Sequence, residues 1–176
     1  ASLADGLVIA AFGPRQDARD VLVDRWNSPL DGLPAGARIG TGSPRRISQL
    51  KAARPDIELL PIRGNVGTRL EKAAGNDYDG VVLAAAGLLR LGREDAVSEY
   101  LAPEVCTPDA GQGALAVEAR EDSPETLDLL SSIDHPPTSI AVRAERAFVA
   151  AIGGGCTAPI GAYGQVVAGR LDVMAM

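Results

Sequence analysis

Apolar positions alternate between two kinds of run along this chain. Between Arg38 and Leu91 one unit recurs three times: a short apolar run, a glycine-containing turn, and a helical pattern. The first unit is Ala37 to Thr41, followed by Gly42-Ser43 and a helix over Pro44 to Ala53. Ser43 is a good N-cap there, because its hydroxyl can accept from a free N–H of the first turn, and Pro44 suits the first helical position. The second is Ile57 to Ile62, then Arg63-Gly64-Asn65 and a helix to about Ala74 ended by Gly75. The third is Gly80 to Ala84, then Ala85-Ala86-Gly87 and a short helix through Leu91. Strands that are almost wholly apolar and alternate with helices predict an α/β fold, a mainly parallel sheet covered on both faces.

Upstream, an apolar run from Leu7 to Phe12 reads as a strand. Downstream come a Pro- and Gly-rich loop (Pro103 to Gly113), a strand over Ala114 to Ala119, and a helical run from Pro124. After His135-Pro136-Pro137 the period predicts a helix from Thr138 to Ile152 with Ile140, Ala144, Phe148, Ala151 and Ile152 on one face. The double proline marks a domain boundary near residue 135. The helix ends at Gly153-Gly154-Gly155 and a hairpin follows from Ile160, with Arg170 to Met176 still alternating at the last residue. An Ala at position 1 and a strand pattern running to the end lead us to expect a piece of something longer.

Composition narrows the function. With 17 Lys+Arg against 23 Asp+Glu the net charge is −6, the wrong sign for a chain that binds nucleic acid by neutralising phosphates. Aromatics make up 3%, too few for a base-stacking platform. The apolar run from Leu7 is far short of the ~20 residues that span a bilayer, and it lacks the basic flank of a secretory signal. Neither a membrane nor a nucleic-acid partner is expected. Cys106 and Cys156 stand 50 residues apart with no CxxC pair, which leaves no zinc or thioredoxin motif and no expected metal. A reduced cytoplasmic protein is the expectation.

Ligands of such sheets bind where the strands end and the helix N-termini gather. All three turns are expected at that edge, and they carry Arg45, Arg46, Arg63, Arg69 and Arg90 in a chain that is acidic overall. A guanidinium fork matches carboxylate or phosphate, and helix N-termini add free N–H groups, so an anion site is predicted. Taken one at a time, each arginine could equally be a solvated surface residue. Gly64, Gly111 and Gly113 flank Asn65 and Gln112, polar side chains able to touch a ligand. No turn reads as GxxxxGK[ST] or GxGxxG, so nothing supports a nucleoside triphosphate or dinucleotide. Cys156, among Gly153, Gly154 and Gly155, has room for a large group beside its sulfur, although a lone cysteine is commonly a small buried hydrophobe. Cys106 has no such setting and reads as structural.

These segments meet in one family. Ile39-Gly40-Thr41-Gly42-Ser43-Pro44-Arg45-Arg46, Pro61-Ile62-Arg63-Gly64-Asn65 to Arg69-Leu70, Tyr78-Asp79-Gly80 to Leu89-Arg90-Leu91-Gly92, Gly111-Gln112-Gly113-Ala114, and Glu145-Arg146-Ala147-Phe148 with Gly154-Gly155-Cys156 closely resemble the hydroxymethylbilane synthases, also called porphobilinogen deaminases. The resemblance runs in order along essentially the whole chain. It implies a transferase of tetrapyrrole (porphyrin and heme) biosynthesis that joins four porphobilinogen units, losing ammonia each time, on a dipyrromethane primer. Its architecture would be periplasmic-binding-protein-like, followed by the start of a small α+β third domain. Residues 1–18 would be a hinge strand from a first domain, 19–107 the second α/β domain, 108–134 a return segment, and 135–176 the opening of the third domain.

The resemblance places the primer thioether at Cys156, with Thr41, Ser43, Arg45, Arg46 and Gln112 around it. Arg63, Asn65, Arg69 and Arg90 would meet porphobilinogen and the growing chain. The chemistry implied is loss of ammonia to an azafulvene electrophile, attacked by the free α-carbon of the terminal pyrrole. The aspartate that manages protons in the family would lie upstream of residue 1, so no catalytic residue is expected in this chain and no turnover from it alone. Asp79 matches a structural position. Gly42 and Pro44 replace the family's frequent serine and leucine, and Leu89 a frequent lysine. A monomeric parent is expected. The rival reading is a non-catalytic half-cleft that captures a polycarboxylate and leaves Cys156 free.

Overall fold

The computed structural model describes residues 3–153 and 158–176. In chain order its elements are β1 (Leu7–Phe12), β2 (Asp20–Asp24), β3 (Arg38–Gly40), α1 (Pro44–Ala53), β4 (Glu58–Leu60), α2 (Val66–Ala73), β5 (Gly80–Ala84), α3 (Ala85–Leu89), β6 (Glu99–Tyr100), β7 (Ala116–Arg120), α4 (Pro124–Ser131), α5 (Pro136–Ala151), β8 (Ala162–Val167) and β9 (Arg170–Ala175). Single 3-10 turns sit at Leu30–Gly32 and Glu94–Ala96.

The α/β class follows the sequence pattern, and the sheet is built around a parallel trio. Its order is β4-β3-β5-β2-β6, with β3 parallel to both β4 and β5. β2, which the sequence reading did not assign as a strand, lies between β5 and β6 and is antiparallel to both, so the sheet is mixed. Alternation along the central strands feeds two cores. Leu22, Ile39 and Val82 face Leu50 of α1 and Cys106, while Val21, Val81 and Leu83 face Leu70 of α2 and Leu88 of α3.

The helix starts form as their residues dictate. The Ser43 hydroxyl accepts from Arg46 N at 3.4 Å, with Pro44 in the first turn of α1. Asn65 Oδ1 accepts from Thr68 N at 2.9 Å and opens α2. Helix α5 begins at Pro136, two residues before the predicted Thr138, because the His135 ring caps it and both prolines fit a first turn whose N–H groups need no partner.

The faces of α5 are a correction. Ile140, Phe148 and Ile152, predicted as one apolar face, are 48, 37 and 50% exposed, and the inward face is Thr138, Ala141, Val142 and Glu145. Helical period identifies a stripe, and here a polar contact, described below, decides which stripe turns inward.

β1 pairs antiparallel with β7, which brings the two ends of the 7–120 segment together. The β8–β9 hairpin turns through Ala168 and Gly169, both at positive φ (50° and 77°), the backbone of a tight two-residue hairpin. Among the described residues no helix is long and apolar enough to cross a membrane.

Candidate functional site: two buried arginines on one aspartate

The antiparallel direction of β2 creates the site. Its first residue, Asp20, pairs with Ala84, the last residue of β5. A carboxylate therefore stands at the edge where the parallel strands end, facing the first turn of α1. Arg45 and Arg46 reach it from that turn. Arg45 Nη1 lies 2.7 Å from Asp20 Oδ2, and Arg46 Nη2 lies 2.7 Å from Oδ1. All three are buried: Asp20 is 0%, Arg45 3% and Arg46 7% exposed.

The remaining donors converge on the same group. Gln112 Nε2 donates to Asp20 Oδ1 at 2.8 Å and to the Ala18 carbonyl at 2.6 Å. Arg45 Nη1 also donates to the Thr107 carbonyl at 2.7 Å, and Arg46 Nη1 to that of Val82 at 3.0 Å. The Cys106 thiol donates to Asp20 Oδ2 at 3.2 Å. Two nitrogens are left over: Arg45 Nε and Arg46 Nε are buried and have no partner among the described residues.

Burial by itself would raise the pKa of Asp20; the charges of Arg46 and Arg45 and their hydrogen bonds outweigh it and hold the carboxyl below the usual range. Burial, reinforced by the neighbouring Asp20 charge, pushes the Cys106 thiol up to about 12. Cys106 is accordingly expected to resist iodoacetamide at pH 8 in the native chain and to react only in denaturant, as peptide mass mapping would report. Rapid alkylation of the native chain would contradict its placement.

Among the other sequence candidates, Thr41 is buried, its hydroxyl accepting from Ser43 N at 3.3 Å and its N–H extending the β3–β4 ladder to the Leu60 carbonyl. Arg90 reaches the Gly113 carbonyl at 3.3 Å, beside Gln112. Arg69 Nε bonds within its own turn, to the Gly64 carbonyl at 2.7 Å. Arg63 and Asn65 are exposed. The structure thus gathers Arg45, Arg46 and Gln112 into one cluster, sets Arg90 against the neighbouring loop, and leaves Arg63 and Asn65 at the turn before α2 with Arg69 just inside that helix. Cys156 lies outside the described residues. Asp79 is bound by Arg38 in a two-pronged pair, at 3.0 Å to each oxygen, as a structural group.

Two groups were given no role in the sequence reading, although Glu145 stands in one of its motifs. Asp20 opens an apolar strand, and an acid at that position is the signal it offered. Glu145, at 0% exposure, receives Arg15 through both oxygens (2.5 and 3.2 Å) and the backbone N–H groups of Gly111 (2.6 Å) and Gly164 (2.7 Å). It fastens α5 to β8 and to the loop that carries Gln112. Its signal was spacing: Thr138, Ala141, Val142 and Glu145 follow the i, i+3, i+4, i+7 rule. A cavity of about 910 Å³ lies alongside, lined by Arg15, Arg19, Pro137, Tyr163 and Met174 among others, and by none of the five candidate arginines.

Residues 1–128 match the family model described as porphobilinogen deaminase, dipyromethane cofactor binding domain, and residues 139–176 match the porphobilinogen deaminase C-terminal domain. The porphobilinogen deaminase of Geobacillus kaustophilus is 51% identical over 100% of this chain and 57% of its own length. Those of Brevibacillus brevis (51% identical, 94% of this chain, 54% of the relative) and Desulforamulus reducens (46%, 99% and 57%) are similar to the same extent. The chain therefore spans a little over half the length of these relatives. By these matches, the chain belongs to the porphobilinogen deaminase family.

Proposed function

We propose that this chain is the central part of a longer hydroxymethylbilane synthase, a transferase that joins four porphobilinogen units with release of ammonia on a dipyrromethane primer. The observation that carries this reading is the buried arginine pair with both Nε–H donors unused. A buried donor without an acceptor costs on the order of 1–3 kcal/mol, and an anionic oxygen in that place removes the cost. Every pyrrole of the substrate carries two carboxylates, so the donor set fits a carboxylate-bearing pyrrole primer.

On this reading the primer is held as a thioether at Cys156. Arg45 and Arg46 take one of its carboxylates, Gln112 is held at the same place by Asp20, and Thr41 and Ser43 shape the turn that aims α1 at it. The primer, when bound, supplies the free pyrrole α-carbon on which the chain is extended. Arg63, Asn65, Arg69 and Arg90, at the rim of the same edge, receive the carboxylates of porphobilinogen and the growing product. Both oxygens of Asp20 are occupied by donors, which makes it a holder of arginines and not a proton carrier. The proton-handling carboxylate then belongs to the remainder of the longer protein, and the 176-residue chain alone gives no turnover. The longer protein is read as a cytoplasmic monomer, with domains divided as the sequence analysis sets out. Family membership does not favour the rival, a non-catalytic polycarboxylate module.

Arg45→Lys and Arg46→Lys test the reading, since lysine keeps the charge and loses the fork. Calorimetric titration with a free dipyrromethane that carries the primer's carboxylates is expected to show affinity weakened by ~1–3 kcal/mol in each variant. Unchanged affinity in both would remove these arginines from the site.

A further inference from the structure

The charges in the cluster do not balance. Arg45 and Arg46 bring two buried positive charges, and among the described residues Asp20 is the one carboxylate bonded to either of them. Asp109, whose charge also acts on Arg45, is exposed to solvent. The Cys106 thiol, next to both Arg45 and Asp20, is neutral at physiological pH. A buried cluster that is one negative charge short, with two Nε–H groups lacking an acceptor among the described residues, is complete when one monoanionic group enters it.

We propose that Asp20 is a specificity-determining positioning residue: as the internal counter-ion of Arg45 and Arg46, it limits the site to a single carboxylate and excludes dianions such as phosphate. The inference rests on the carboxylate reading above and adds to it why one carboxylate is chosen over other anions. The physical reason is charge count. With Asp20 present, a carboxylate brings the cluster to neutrality, whereas a dianion leaves a buried negative excess. With Asp20 neutralised, the cluster carries two uncompensated positive charges and a dianion becomes the better match. Geometry adds to this. Asp20 occupies one Nη of each guanidinium, and the Val82 and Thr107 carbonyls and Gln112 Oε1 take further N–H groups, which leaves Arg45 Nε and Arg46 Nε as the nitrogens with no partner among the described residues.

The test is Asp20→Asn in this chain, an almost isosteric change. The arginine Nε–H resonances, assigned through the Arg45→Lys and Arg46→Lys variants, are followed during titration with acetate and, separately, with inorganic phosphate at pH 7.5. The unsubstituted chain is expected to respond to acetate in preference to phosphate. In Asp20→Asn the affinity ratio of phosphate to acetate is expected to rise at least about tenfold, because a unit charge a few ångströms away is worth that much or more in a buried site. A folded variant with an unchanged ratio would overturn the proposal.

Folding is followed in parallel by circular dichroism. A variant that folds only when millimolar phosphate is present supports the counter-ion role, since the added anion then replaces the lost charge. A variant that no anion restores overturns it, because Asp20 would then be needed for the fold alone. If the unsubstituted chain ignored acetate while Asp20→Asn gained phosphate, the carboxylate reading would fall and the counter-ion role would stand.

Discussion

Glu145→Ala is expected to lower the unfolding free energy by about 3–5 kcal/mol, the cost of leaving a buried charge without its partner. The carboxylate is fully buried and satisfies four groups at once, both Nη atoms of Arg15 and the N–H groups of Gly111 and Gly164. Alanine leaves Arg15, whose side chain is 11% exposed, facing a void, and removes the acceptor from two backbone donors. The loss reaches beyond α5. Gly111 adjoins Gln112, whose backbone carbonyl also receives Arg15 Nε at 2.9 Å, so the variant is expected to loosen the loop that delivers Gln112 to Asp20. Urea unfolding of the chain measures the effect, and a loss under about 1 kcal/mol would show that α5 is held by packing alone.

Asp20→Ala is expected to be as costly, again about 3–5 kcal/mol, because two guanidiniums would remain in the interior with no counter-charge. Its pH dependence has a definite sign. The carboxyl is lowered from its ordinary 3.8 when folded, the arginine charges outweighing burial. The stabilisation is therefore complete above that ordinary value and is lost as pH falls through the lower folded value. The parent chain should lose stability below about pH 3.8 from this source, and the variant should lack that component. Thermal unfolding between pH 2 and 6 compares the two. Equal acid limbs would mean that Asp20 does not carry this charge in the folded chain.

Local chemistry was readable where it depends on neighbours in sequence. Ser43-Pro44 opens α1, Asn65 caps α2, and the short, mainly apolar strands β3 to β5 alternate with helices, all from residues within a few positions. The arginines were recognisable as anion binders by type and by their place after strands. What the sequence did not disclose is which anion Arg45 and Arg46 meet first. Asp20 lies 25 and 26 residues away and reaches them because β2 runs antiparallel beside β5, a pairing that no local pattern encodes. The reversal of α5 has a similar origin. Its period marked the stripe of Ile140 and Phe148, but Arg15, 130 residues upstream of Glu145, draws the opposite stripe inward. Direction of burial is decided by partners that are distant in sequence, and polar partners are invisible to a hydrophobic period.

The reading of the chain as the central part of a primer-carrying deaminase meets its most direct test in the intact mass of the longer protein, purified without denaturant, set against the mass of its sequence. An excess equal to two linked pyrrole rings is predicted, and Cys156→Ser should abolish it while leaving the fold unchanged. A mass equal to the bare sequence, or an excess that persists in Cys156→Ser, would contradict the assignment of a thioether-bound dipyrromethane to this site.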